Sequence, residues 1–144
     1  MLIREYSSED FKYVYDVLIQ AFPEVDDMIR KSLVSEDSLN LDKNKYIQLV
    51  AEEDGIVVGY ALASRSGDPI LKRYNFWIDY VCVDSKYRGK GIGRKLLENI
   101  EKIAIDEKVL FLQLTSSRFR TGARKLYMDM GFEIRESDIF RKVL

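Results

Sequence analysis

The chain contains no histidine. That absence excludes Ser-His-Asp and Cys-His catalysis and every histidine-based metal site. Its one cysteine, Cys82, rules out an internal disulfide and leaves no thiolate cluster for zinc, so no metal is expected. Cys82 falls in mid-strand, where packing is the expected role rather than nucleophilic attack. No apolar run approaches the length of a membrane span, and Met1-Leu2-Ile3-Arg4 does not begin a signal peptide. A cytoplasmic location without a membrane partner is therefore expected. Repeats, low-complexity segments and linkers are also missing. Chemistry is left to carboxylates, tyrosines, lysines, backbone dipoles and water.

What is present suits one enzyme-sized domain spanning residues 1–144, with 47% apolar and 33% charged residues. The net charge is −1, but it is unevenly spread. Residues 1–72 hold 14 acids and 8 bases, whereas residues 73–144 hold 10 acids and 15 bases. An anionic ligand on the C-terminal half and a cationic one against the N-terminal half is one reading, and a lopsided solvated surface is the other. The overall balance argues against nucleic acid as a partner.

One stretch organises the rest. Phe76 to Val83 is rich in aromatic and β-branched residues, which favours a strand. From Ile92 the period changes: Ile92, Leu96, Ile100, Ile103 and Ala104 recur at helical spacing. Gly89, Gly91 and Gly93 lie where the strand hands over to the helix. A helix N-terminus carries unpaired N–H groups and about half a positive charge, and so favours acids. This one carries Lys86, Arg88, Lys90, Arg94 and Lys95 instead. Glycines that admit a ligand close to the backbone, with cations around them, point to a phosphate or pyrophosphate. The alternative is a tight turn whose charges are merely solvated.

Around this centre, Leu2 to Tyr6 reads as a strand, and Ser7 or Ser8 as the cap of a helix carrying Phe11, Val14, Tyr15, Leu18 and Ala21. Glu24 to Ser35 reads as a second helix, and 38–45 as irregular. Tyr46 to Glu52 and Ile56 to Arg65 flank Asp54-Gly55, a strong hairpin signal. Residues 66–69 read as a loop. Val109 to Thr115 reads as a buried strand. Thr121 can cap a helix with Ala123, Leu126, Tyr127 and Met130 inward, stopped by Gly131. Phe132 to Arg135 and Ile139 to Val143 look like a closing pair of strands.

The glycine stretch fails both common phosphate-loop patterns. GxxxxGK[ST] is not met by Gly89-Lys90-Gly91-Ile92-Gly93-Arg94-Lys95, and the third glycine of GxGxxG is missing. What remains is R-x-x-G-x-G over Arg88 to Gly93, preceded by Val81-Cys82-Val83-Asp84. It resembles the acetyl-coenzyme A signature of the GNAT family of N-acetyltransferases. Downstream, Ala123 to Phe132 resembles that family's A-x-x-L-Y-x-x-x-G-F. The detailed match covers roughly 76–132.

The resemblance implies an α/β (α+β) fold with a mixed, mostly antiparallel central sheet flanked by helices, in the order β-α-α-β-β-β-α-β-α-β-β. It implies acetyl-coenzyme A as co-substrate and a primary amine, on a small molecule or a protein, as acceptor. The pyrophosphate would rest on Arg88, Gly89, Lys90, Gly91, Ile92, Gly93 and Arg94. The pantetheine arm would pair with the backbone along Val81, Cys82 and Val83, provided the two central strands splay apart. Tyr127 aligns with the tyrosine that protonates the departing thiolate in many members; the alternative is a core tyrosine on a helix face. Arg120 stands where many members have asparagine, and with Arg124 it is expected to face the cofactor. A lysine-type amine is neutral only about 0.04% of the time at pH 7, so a base is useful. Asp79, mid-strand among apolar neighbours, is the first candidate for that base, ahead of Tyr80 and Glu52; the alternative is a surface-facing Asp on a half-exposed strand face or one paired with an arginine. The region before the first hairpin lies over the acceptor in the family, but nothing in it identifies the amine. Two other readings stand beside this one: a coenzyme A-binding module without turnover, and an RNA-binding domain using the basic turn. A dimer is compatible with the sequence but not readable from it.

Overall fold

The computed structural model describes residues 1–21, 26, 28, 32 and 34–144. The chain divides into two units, Met1–Leu114 and Thr115–Leu144. The first contains β1 (Leu2–Glu5), β2 (Tyr46–Glu53), β3 (Ile56–Asp68), β4 (Arg73–Val83) and β5 (Leu112–Gln113), joined in that order into one sheet. β1 to β4 pair antiparallel, and β5 lies parallel to β4. This is the mixed, mostly antiparallel sheet that the family resemblance implies. The β2–β3 hairpin turns at Asp54 and Gly55, both with positive φ (49° and 79°), as a two-residue turn matched to strand twist requires.

Helices cover both faces. α1 (Phe11–Ile19) buries Val14 and Leu18 in a cluster with Leu39, Val50, Val57, Tyr60 and Leu62. α2 (Ile92–Asp106) buries Ile92, Leu96, Leu97, Ile100 and Ala104, the stripe predicted by the 3.6-residue period. It packs on the other face, because Gly59 and Tyr60 are consecutive on β3 and point opposite ways. Gly59 is what allows the close approach. A Cβ there would stand 3.0 Å from Ile92 Cγ2 and 3.2 Å from Leu96 Cδ1.

An ion cluster ties the start of the chain together. Arg4 Nη1 and Nη2 donate to the two oxygens of Asp10 at 2.8 and 2.9 Å, and Arg4 Nε donates to Glu52 at 2.8 Å. Asp10 also accepts from Ser7 N–H at 2.8 Å, closing a capping box on the 3-10 turn Ser8–Asp10 that leads into α1. So Ser7 is the cap, and β1, β2 and the α1 entry share one guanidinium. The Arg4 hydrogen bonds hold the Asp10 carboxyl below the usual carboxylate range despite its burial.

Several expected boundaries move. β3 runs on to Asp68 and β4 begins at Arg73, because the ladder continues through Ser66–Asn75, Gly67–Tyr74 and Asp68–Arg73 where a loop was expected. β5 is confined to two residues of the expected 109–115, and Leu110 and Phe111 are exposed rather than buried. The expected second helix, over 24–35, lies largely outside the described residues.

In the second unit, α3 (Thr121–Asp129) has Arg120, not Thr121, at its N-cap. Its end is the glycine stop read from the sequence. Gly131 has φ 90°, Gly131 N–H donates to Met128 C=O at 3.1 Å, and Phe132 N–H donates to Tyr127 C=O at 3.0 Å. The closing strands expected over 132–135 and 139–143 do not form. Alternation alone does not make a strand without a ladder partner, and Ile139 and Phe140 are exposed.

Two stability outcomes follow. Asp10 has a depressed folded pKa, so its contribution is complete above its ordinary value of 3.8 and is lost as pH falls through the folded value. Asp10→Asn should therefore lower stability at pH 7 by about 2 kcal/mol, less than a fully buried pair because Arg4 is partly exposed. The gap to wild type should begin to narrow as pH falls below about 4 and go on closing toward the lower folded value, read by denaturant melts across pH. Gly59→Val should lower Tm by several degrees through overpacking of about 1–3 kcal/mol against Ile92 and Leu96. An unchanged Tm would show that α2 does not seat on β3 as described.

Candidate functional site

The site begins with a ladder that stops. β5 pairs with β4 only at Phe76–Leu112 and Trp77–Gln113. Phe76 N–H still reaches Phe111 C=O at 3.1 Å. Beyond Trp77, β4 continues for six more residues held by β3 on one side. Asp84 N–H donates to Val58 C=O at 2.9 Å, which fixes the phase. Backbone groups alternate along an antiparallel strand, so Cys82 faces β3, and Val81 and Val83 turn their N–H and C=O groups to the open edge. Val81 and Val83 are two of the three β4 residues that sequence reasoning selected. The third, Cys82, is half-buried against the α1-side cluster, as a packing residue would be.

The β4 ladder also slips. Leu62 pairs with Tyr80 and Ala63 with Ile78, leaving Asp79 as the extra residue of a β-bulge. A bulge re-aims a side chain, and Asp79 is exposed there rather than packed among its apolar neighbours. Partial burial raises its pKa above the ordinary carboxylate value, while a hydrogen bond from Ser64 and the charge of Lys45 pull it down. Tyr80 is 37% exposed beside it, and Glu52 is committed to Arg4.

β4 leads into the basic turn through the 3-10 turn Ser85–Tyr87, which Asp84 caps by accepting from Lys86 N–H at 2.9 Å. Gln20, at the end of α1, holds this entry from the side. Its Oε1 accepts from Ser85 N–H at 3.0 Å. No sequence signal announces a contact 65 positions apart. Gly89 and Gly91 follow with φ 77° and 80°. A Cβ at either would meet nothing within 4 Å among the described residues, so the turn is open around both glycines.

Gly91 is the N-cap of α2 and supplies no side-chain cap, and the first turn holds no acid. The first helical bond is Lys95 N–H to Gly91 C=O at 3.0 Å. By helix geometry, the N–H groups of Ile92, Gly93 and Arg94 precede it without intrahelical acceptors. Around them the cations have different occupations. Lys90 Nζ lies 5.1 Å from the Tyr87 ring centroid, and Lys95 stands 3.9 Å from Glu98. Arg88 Nε donates to Val83 C=O at 3.1 Å, turning back onto the open edge. One continuous surface thus runs from the free edge of β4 to the free N–H groups of α2. It offers hydrogen bonds to an extended polar chain and positive potential to a phosphate.

In the second unit, Tyr127 is half-buried on α3, and its ring centroid lies 5.8 Å from that of Phe132 at 61°. Arg120 is exposed and Arg124 half-buried; Arg124 N–H donates to Arg120 C=O at 3.0 Å. Among the described residues, no helix is long and apolar enough to cross a membrane.

The model of the Acetyltransferase (GNAT) family matches residues 11–132. N-acetyltransferase 8B of Mus musculus is 36% identical over 84 residues, which are 58% of this chain and 36% of that protein. The chain therefore matches little more than a third of that relative's length. Among solved structures, a possible acetyltransferase from Clostridium difficile 630 has TM-score 0.83 at 21% identity, covering 99% of this chain and 97% of its own. AAC(6')-Iy in complex with the bisubstrate analog CoA-S-monomethyl-acetylneamine has TM-score 0.79 at 19% identity, with the same coverage.

Proposed function

The chain belongs to the GNAT acetyltransferase family, and from that premise we propose that it transfers an acetyl group directly from acetyl-coenzyme A to a primary amine of a small molecule or protein. The observation that carries this reading is the parting of β4 from β5 after Trp77, with the exposed edge leading into an acid-free helix N-terminus. The extended amide chain of pantetheine suits such an edge by strand addition, and the pyrophosphate suits the N–H groups of Ile92, Gly93 and Arg94. The bisubstrate analogue held by AAC(6')-Iy supports the same donor for this fold.

The chemistry assigned to the chain's own groups is simple. The amine nitrogen attacks the thioester carbonyl, a C–N bond forms, and the C–S bond breaks. Asp79, re-aimed by its bulge, takes the amine proton directly or through water. By the family resemblance, Tyr127, whose phenol can donate a proton, protonates the departing thiolate. Arg120 and Arg124 are assigned to the cofactor by the family resemblance alone. The excess of acids over bases in residues 1–72 favours a cationic acceptor.

Two experiments test this. Gly91→Glu puts a carboxylate into the open space of the turn at φ 80°. It should cost about 1–2 kcal/mol of backbone strain while leaving the protein folded, and weaken acetyl-coenzyme A binding about 100-fold by calorimetry. Gly91→Ala, with the same backbone strain and no charge, should lose much less. Normal affinity in a folded Gly91→Glu protein would remove the turn from the cofactor site. Tyr127→Phe keeps the ring against Phe132 and deletes the donor. It should lower kcat about 100-fold with the amine KM little changed. A kcat within about threefold of wild type would assign thiolate protonation to another group.

A further inference from the structure

The bond between Arg88 Nε and Val83 C=O has no place in the proposed chemistry. Val83 C=O faces the open edge of β4, where the pantetheine arm is assigned, and Arg88 opens the turn assigned to the pyrophosphate. One arginine therefore covers an acceptor of the first subsite while belonging to the second. We propose that Arg88 is an exchange latch: it occupies the Val83 carbonyl in the free protein and releases it when phosphate draws the guanidinium away, so that pantetheine pairs with β4 only as the pyrophosphate arrives. This inference rests on the cofactor reading above and adds an order of events to it.

The physical argument has three parts. An exposed edge carbonyl invites pairing with any extended chain, and a guanidinium on it blocks that pairing at low cost. Arg88 is exposed, and its bond to Val83 spans only five residues, so neither end must leave a packed position to let go. A guanidinium also prefers a phosphate to a neutral carbonyl, because two charge-assisted bonds replace one. Val83 gains a partner in the same step that Arg88 gains a better one, so no polar group is left unpaired.

The latch predicts opposite effects on two ligands. Pantetheine has the amide arm but no phosphate, so it competes with Arg88 for the carbonyl and cannot draw it off. Acetyl-coenzyme A uses Arg88. Arg88→Met keeps the stem and removes the donor. It should bind pantetheine about two- to tenfold more tightly than wild type, by NMR titration, the size of one exposed hydrogen bond. The same variant should bind acetyl-coenzyme A about tenfold or more weakly by calorimetry. In wild type, the Arg88 Nε–H resonance should move on adding coenzyme A and stay fixed with subsaturating pantetheine. Pantetheine affinity that is unchanged or lower in Arg88→Met overturns the latch, even if acetyl-coenzyme A binding falls. Undiminished acetyl-coenzyme A binding in Arg88→Met overturns it from the other side. Failure of the underlying reading would show separately, as normal acetyl-coenzyme A affinity in Gly91→Glu.

Discussion

Backbone groups that lose their ladder partner must find another or face water. In this chain that constraint is concentrated at one place, where β5 stops following β4 after Trp77 and Gln113. The remaining six residues of β4 are secured on one side by β3, and their other side presents the N–H and C=O groups of Val81 and Val83. Arg88 returns to cover the last of these carbonyls. Most of the unit serves to hold this edge still. α2 is seated on the back of the sheet by the missing side chain of Gly59, and α1 is packed on the front by Val14 and Leu18. Gln20 reaches from α1 to fix the exit at Ser85.

The electrostatics follow the same geometry. Where a helix begins, acids normally offset the free N–H groups, and here the first turn of α2 has none. The positive end of α2 is thus left uncompensated at the point where β4 delivers the chain. On the β1 side of the same sheet, Arg4 gathers Asp10 and Glu52 into a tight cluster that serves folding. The two sites show the same charge types under different constraints. Arg4 is locked between two carboxylates, whereas Arg88, among the described residues, has a neutral partner it can leave.

The parts that were legible in the sequence are those governed by local rules. The change of period at Ile92, the Asp54-Gly55 turn, the Gly131 stop and the Ser7 cap each depend on residues a few positions apart. What was not legible depends on partners far along the chain. Nothing local to Asp79 announces a bulge, which arises from the register between β3 and β4. Gln20 carries no mark of its contact with Ser85. The alternation of Phe132 to Arg135 suggested a strand, yet no ladder forms there, because alternation describes a face and not a partner. The splay of the central strands was implied by the family resemblance and is seen directly only in the pairing pattern. Site roles for Tyr127, Arg120 and Arg124 still rest on that resemblance.

The central claim is that the free edge of β4 and the N-terminus of α2 act as one binding surface for an amide chain ending in phosphates. The most direct measurement is a backbone amide NMR titration with acetyl-coenzyme A. The account predicts saturable shifts concentrated at Val81, Val83, Ile92, Gly93 and Arg94, with Cys82, which faces β3, moving far less. Shifts that spare these amides, or that spread evenly over β1 and β2 instead, would contradict it.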